Sequence, residues 1–273
     1  MINPVMAVAQ APCQTGDLSH NTSKAQQLIE KAAWRGATVV ALPELFLSGY
    51  APSHIAEGAQ DSIVEVGDEV CSQIQATCAS NRIGAIVGGP IRSEDGLVNG
   101  ALVIAPDGKL LHVYAKTHLW GDEAEAFRAG RGPVIVDFDG FRVGLAICFD
   151  AGFPEHVRAL GRGGAEAVLC PAAFTHGEER HRYEIYYPAR ALENTMYTGV
   201  ANAVGTQGGM EMFGESLICD PRGHELVRAS SECSVETVEV DRTEIERSRR
   251  DLPYLDEVAS DAGGFTTTTI EWR

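Results

Sequence analysis

Three residues of this chain, Glu44, Lys116 and Cys148, have the types and positions needed for nucleophilic chemistry. Cys148 follows a run of apolar or small residues, Val143 to Ile147, in VGLAICFDAGFPE. A buried strand is therefore expected to stop at the thiol, with a helix starting just beyond Pro154. Such a strand end exposes its side chain at the carboxyl edge of a sheet, where open α/β proteins place their ligands. An unassisted thiol has a pKa near ~8.5 and is only a few per cent ionised at neutral pH, so a nucleophilic cysteine needs a cation, a base or both.

Glu44 and Lys116 could supply them. Glu44 follows the strand TVVALP, enclosed by Leu42, Leu45 and Phe46. A carboxyl group in such surroundings has a raised pKa, which suits a general base and acid near neutrality. Lys116 ends the outgoing strand of an Asp107-Gly108 hairpin, on the same face as His112 and Tyr114, with Leu111, Val113 and Ala115 on the other. An ammonium held there can stabilise an oxyanion and favour the thiolate. Taken singly, Glu44 reads as a surface glutamate, Lys116 as an edge-strand lysine and Cys148 as core packing. Their shared placement at three strand ends favours chemistry. His118 and His156 are alternative partners for the thiol, and a less economical choice.

The elements that must position these residues alternate between strand and helix. A strand at Val5–Gln10, a helix over Thr22–Arg35 stopped by Gly36, the strand before Glu44, a helix over Ser62–Asn81 and the strand GAIVGG come first. ALVIAPDGKLLHVYAK, VIVDFDGFRVGLAIC and SLICDPRGHELVRAS each place Asp-Gly or Pro-Arg-Gly between apolar runs, a hairpin signal. Helices over Glu155–Arg162 and His181–Met196 flank the strand EAVLC, and TGVANAV and SVETVEV close the series. The pattern predicts one domain of two packed sheets, each with helices on one face. Its core spans about 4–245, followed by an irregular tail over 246–273.

Composition narrows the function classes. The 273 residues include 44% hydrophobic ones, enough for a sizeable core. The net charge of −16 opposes nucleic acid or an anionic membrane as a partner. No apolar stretch reaches the length of a membrane span, and the first residues lack the pattern of a secretory signal, so a cytoplasmic protein is expected. The seven cysteines are scattered, with no C-x-x-C pair, which removes the usual zinc and thioredoxin signatures and leaves disulfides unexpected.

Three blocks in order, LPELFLSGY, YAKTHLWGDE and ICFDAGFPE, resemble the signature blocks of the nitrilase superfamily, the carbon–nitrogen hydrolases. PARALEN at 188–194 and the following GVANAVG are similar to the helix and strand beyond that family's nucleophile. The resemblance implies an α-β-β-α sandwich with Glu44 as general base, Lys116 as oxyanion stabiliser and Cys148 as nucleophile, assisted by the backbone N–H of Phe149. It also implies a supporting glutamate ahead of the turn Phe127-Arg128-Ala129-Gly130. Glu123 fits best by spacing, but this stretch is short and has Ala129 where proline is usual, which leaves Glu125 open. The implied reaction is hydrolysis of a non-peptide C–N bond through a thioester, with no metal or organic cofactor.

Cys148-Phe149-Asp150 departs from the Cys-Trp-Glu of true nitrilases and is more similar to the amidase branch, with a small amide as substrate. N-carbamoyl hydrolysis is the alternative, for which Arg180, His181 and Arg182 are candidates for a carboxylate clamp. Tyr50, His118, Trp120, Phe149, Phe174 and Thr175 flank the motif positions and are candidate pocket walls. Arg190 and Glu193 read as a helix ion pair. A catalytically silent assembly protein and a redox-sensing thiol are the readings from other classes. Relatives of this type commonly form homodimers or larger homo-oligomers, with the C-terminal tail crossing to the partner.

Overall fold

The computed structural model describes residues 3–94, 96–257 and 267–272. The first half runs β1 (Val5–Gln10), α1 (Leu18–Trp34), β2 (Val39–Ala41), α2 (Pro52–Ala56), β3 (Val64–Glu65), α3 (Glu69–Asn81), β4 (Gly84–Ser93), β5 (Gly96–Ile104) and β6 (Leu110–Ala115). The second half runs α4 (Glu123–Ala126), β7 (Val134–Asp137), β8 (Arg142–Leu145), α5 (Pro154–Arg162), β9 (Ala167–Ala172), α6 (Glu178–Asn194), β10 (Tyr197–Asn202), β11 (Val204–Gln207), β12 (Met210–Phe213), β13 (Leu217–Cys219), β14 (Glu225–Arg228), β15 (Ser234–Glu239), α7 (Arg242–Asp251), α8 (Tyr254–Glu257) and β16 (Thr268–Glu271).

These strands form two principal sheets, in the orders β15-β1-β2-β4-β5-β6 (with β3 on β4) and β14-β13-β10-β9-β8-β7-β16. β15 pairs with β1 and so returns from the second half to the first sheet. The inner faces meet through Met6, Val8, Ala41, Val103 and Tyr114 on one side and Val136, Leu145, Leu169 and Ala201 on the other, all buried. α1 and α3 cover the outer face of the first sheet, where Leu28, Ile29 and Ile74 pack on Val40 and Val87. α5 and α6 cover the second, where Leu160, Tyr183 and Tyr187 pack on Val168 and Val200. This is the expected α-β-β-α sandwich. Among the described residues, no helix is long and apolar enough to cross a membrane.

The differences from expectation have local causes. α1 starts earlier than Thr22, because the Asp17 side chain accepts from His20 N at 2.9 Å and caps the helix. α3 starts at Glu69 instead of Ser62: Gly67 has a φ of 90° and Asp68 then caps the helix through Cys71 N at 2.8 Å. α6 begins at Glu178 and ends at Asn194, where Thr195 takes the left-handed conformation with φ 46°. TGVANAV divides between β10 and β11, and the latter forms a separate hairpin with β12. A register shift between Val103 and Ile104 in the pairing of β5 with β6 breaks the simple alternation, so Leu111 packs with Tyr114 between the sheets while Val113 and Ala115 face the helices. Part of the tail forms a strand. β16 pairs in parallel with β7 of its own chain, Ile270 opposite Val136; residues 258–266 and 273 of that tail lie outside the described residues.

Candidate active site

Glu44 is placed by a tight crossing of the backbone beyond β2. The residue after it, Leu45, is held at φ 48°, and Leu47 N donates to Gly88 O at 3.0 Å. A Cβ at Gly88 would lie 2.1 Å from Pro43 O, so only glycine lets β4 pass this close to the Glu44 backbone. Lys116 follows β6, where its N donates to Asn99 O at 2.9 Å and its O accepts from Gly130 N at 2.8 Å. A Cβ at Gly130 would lie 2.1 Å from Ala115 O, the same device on the other side of the site.

Cys148 begins a single turn of 3-10 helix, Cys148–Gly152, and has φ 43°. A non-glycine residue in that region is strained and persists only where the surroundings enforce it. Here the Asp150 carboxylate accepts from Ile147 N at 3.0 Å, and Arg190 donates from α6 to Ala151 O at 2.7 Å. Arg190 also pairs with Glu193 at 3.0 Å, the ion pair expected from PARALEN.

The polar groups converge on Lys116. Lys116, Glu44 and Glu123 are all fully buried. Lys116 Nζ donates to Glu44 Oε1 at 2.6 Å and to Glu123 Oε1 at 2.8 Å. Glu123 Oε1 also accepts from Tyr50 Oη at 2.8 Å, and its Oε2 from Trp120 N at 2.9 Å. Glu125 is exposed on the short helix α4 and lies outside this cluster. Asn99 completes the cluster, with Nδ2 2.8 Å from Glu44 Oε1 and 3.3 Å from Glu123 Oε1. Sequence reasoning missed Asn99; its signal was a lone amide inside the apolar run GLVNGALVI, a group that must find partners when buried. Among the described residues, Glu44 Oε2 is buried with no hydrogen-bond partner.

Burial pushes the Glu44 carboxyl up to about 7, against the pull of the Lys116 ammonium, while the Glu123 charge adds to the rise. Burial also opposes charge on Lys116, but Glu44, Cys148 and Glu123 outweigh it and hold the ammonium above its usual range. For the Cys148 thiol, burial and the Glu44 charge dominate. The thiol is pushed well above its ordinary range, although Lys116 and the backbone N–H of Ala173 favour the thiolate.

Cys148 opens onto a cavity of about 430 Å³. Tyr50, Trp120, Phe149, Phe174 and Thr175 all line it, as expected. His118 does not: its Nδ1 lies 2.8 Å from Asp150 Oδ1 and its ring stacks on Phe153 at 3.7 Å. His156 is buried behind the turn, with Nε2 3.2 Å from Leu145 O. The ligand-type atoms of His118, Asp150 and His156 lie within 4.8 Å of one another, but Asp150 is already taken up by hydrogen bonds from protein groups. The candidate clamp divides: Arg180 pairs with Glu215 at 2.7 Å, His181 is exposed, and Arg182 lines the cavity with its guanidinium 4.5 Å over the Trp120 ring.

The family model for carbon-nitrogen hydrolases matches residues 5–250. The chain belongs to that family. Among curated relatives, this hydrolase is 31% identical to the omega-amidase of Xenopus laevis over 86% of its own length and 88% of that protein's. It is 34% identical to a protein named nitrilase in Pyrococcus abyssi, over 86% and 89% of the two chains. Among solved structures, it matches a doubly substituted form of the amidase from Nesterenkonia sp. AN1 in complex with acrylamide, with a TM-score of 0.83 and 27% identity over 95% of each chain. Another structure of that amidase, with a TM-score of 0.80 and 27% identity over 94% and 97%, carries the acetamide moiety of fluoroacetamide on its active-site cysteine. This hydrolase is a cysteine-dependent amidase, acting on the C–N bond of an amide.

Proposed function

We propose that Cys148, Glu44 and Lys116 carry out this hydrolysis on small linear amides, releasing ammonia or a small amine, with Glu123 in support. The observation that carries the reading is the unpartnered Glu44 Oε2, buried in a cluster whose other carboxylate oxygens are all bound and belonging to a carboxyl pushed up to about 7. Such an oxygen is suited to take the thiol proton as Cys148 Sγ attacks the planar carbonyl carbon. Lys116 Nζ and the N–H of Phe149 then stabilise the oxyanion. The C–N bond breaks, the amine leaves with the proton from Glu44, and a thioester is left. Glu44 next takes a proton from water as it attacks the thioester, and returns it to the departing sulfur when the acid is released.

Glu123 acts through Lys116. With Tyr50 and Asn99 it fixes the ammonium, so the long side chain has no freedom to lose during the reaction. The cavity volume and its aromatic walls fit an acyl group of a few carbons.

The homodimer expected from the resemblance is supported by Ile185 and Leu192, exposed seven residues apart on α6. Sedimentation of the purified protein tests it, with a single 29.2 kDa species as the contrary result.

A panel of small amides, N-carbamoyl amines and nitriles, scored by ammonia release with wild type and Cys148→Ala, tests the main reading. Turnover of amides that disappears in the variant is expected. Normal turnover by Cys148→Ala, or activity confined to nitriles, overturns it.

A further inference from the structure

The proposed catalytic groups come from two different sheets. Glu44 and Lys116 follow β2 and β6 of the first sheet, and Cys148 follows β8 of the second. The packing between those sheets is apolar and therefore non-directional, and by itself it does not fix a lysine nitrogen against a sulfur to a fraction of an ångström. A single side chain makes directional bonds both to the turn that carries Cys148 and to the segment that carries Lys116. Asp150, two residues beyond the nucleophile, is fully buried. Its Oδ2 accepts from Ile147 N at 3.0 Å, which closes the strained turn at Cys148. Its Oδ1 accepts from His118 N at 2.8 Å, and its Oδ2 lies 3.4 Å from Thr117 N; both amides belong to the segment directly after Lys116. Tyr114 Oη, two residues before Lys116, donates to Oδ2 at 2.8 Å, and His118 Nδ1 reaches Oδ1 at 2.8 Å. The stretch Tyr114–His118 and the Cys148 turn are thus tied to one carboxylate.

We propose that Asp150 is a positioning residue for catalysis, the carboxylate that sets the Lys116 ammonium in register with the Cys148 sulfur across the two sheets. The role rests on Cys148 and Lys116 acting as described above. A carboxylate is required because each of its two oxygens faces a backbone N–H, which can only donate: His118 N on Oδ1 and Ile147 N on Oδ2. In Asp150→Asn the side chain has nearly the same shape, but one of its two acceptors becomes an NH₂ facing an N–H. The segment carrying Lys116 then shifts relative to Cys148, and displacements near 1 Å cost about 10²-fold in rate.

The test compares wild type, Asp150→Asn and Tyr114→Phe on the best amide of the panel. It also follows the alkylation of Cys148 by iodoacetamide as a function of pH. Folded Asp150→Asn is expected to lose about 100-fold in kcat with KM within about twofold, since the bond acts on the geometry of the reaction and not on substrate binding. Its alkylation profile moves to higher pH, because a displaced Lys116 favours the thiolate less. Tyr114→Phe, which keeps the carboxylate and removes one donor, loses about tenfold in kcat in the same pattern. Wild-type kcat and an unmoved alkylation profile in folded Asp150→Asn overturn the proposal. Should that variant fail to fold, a Tyr114→Phe protein that is less heat-stable but has wild-type kcat overturns it equally. Failure of Cys148→Ala to abolish turnover would instead strike the nucleophile assignment, so the two failures are distinguishable.

Discussion

Glu44 and Asp150 are both fully buried carboxylates, yet the site leaves the first ready to gain a proton near neutral pH and keeps the second charged. Burial raises both. For Glu44 the Lys116 ammonium and Asn99 offset only part of that rise, the Glu123 charge adds to it, and one oxygen is left without a donor. For Asp150 the donors His118, Ile147 N–H and Tyr114, together with the nearby His156, more than compensate and hold the carboxyl below its usual range. A carboxylate that must exchange protons needs bonding capacity in reserve. One that must hold geometry needs none.

The largest effect that tests this contrast is the removal of Glu44's proton chemistry with its shape kept. Glu44→Gln is expected to lower kcat by about 10³-fold with a smaller change in KM, the size of a lost general base. A variant within tenfold of wild type on the same amide would mean that Glu44 only holds Lys116. The pH profile comes next. In the proposed mechanism Glu44 must be ionised to accept the thiol proton, and burial pushes its carboxyl up to about 7, so kcat/KM should fall as pH drops below that value, by about tenfold per unit. A profile flat to pH 5 would place the base elsewhere.

A milder loss, about tenfold in kcat, is expected for Asn99→Ala, which takes one donor from both Glu44 and Glu123 and leaves Lys116 in place. It should also move the acid limb of the profile to higher pH, since a bond favouring the charged Glu44 is gone. Glu125→Gln should change neither rate nor stability, because that side chain is exposed; a loss comparable to that of Glu123→Gln would reverse the assignment of the supporting glutamate.

The catalytic candidates were legible in the sequence because each ends a run with strand periodicity, and a charged or reactive residue at such a boundary stands out. The groups that tune and hold them were far less so. Asn99 lies inside an apolar strand, and its importance comes from β5 lying between β4, which passes the Glu44 turn, and β6, which carries Lys116. Asp150 stood in a recognised block but was read as a marker of substrate branch, since nothing in linear order shows that residues 114, 117, 118 and 147 meet one carboxylate. His118 misled for the same reason: a histidine two residues from Lys116 looks like a pocket wall until Asp150 is seen to claim its ring. The sandwich itself followed from strand-helix alternation and turn signals. The helix start at Glu69 depended on a left-handed Gly67, and β16, in the threonine-rich TTTTIEWR, has no alternating apolar pattern to announce it.

β16 has a practical consequence for handling the protein. It lies alongside β7 at the end of the second sheet, with Thr268 opposite Val134 and Glu271 opposite Asp137. Cutting the chain after Glu257 would strip that cover and bare the amide and carbonyl row of β7 along a buried apolar strand, Val134, Ile135 and Val136. Bare rows of that kind recruit strands from other molecules. A shortened version is therefore expected to be sticky before it is inactive, and a purification tag is better carried at the amino end.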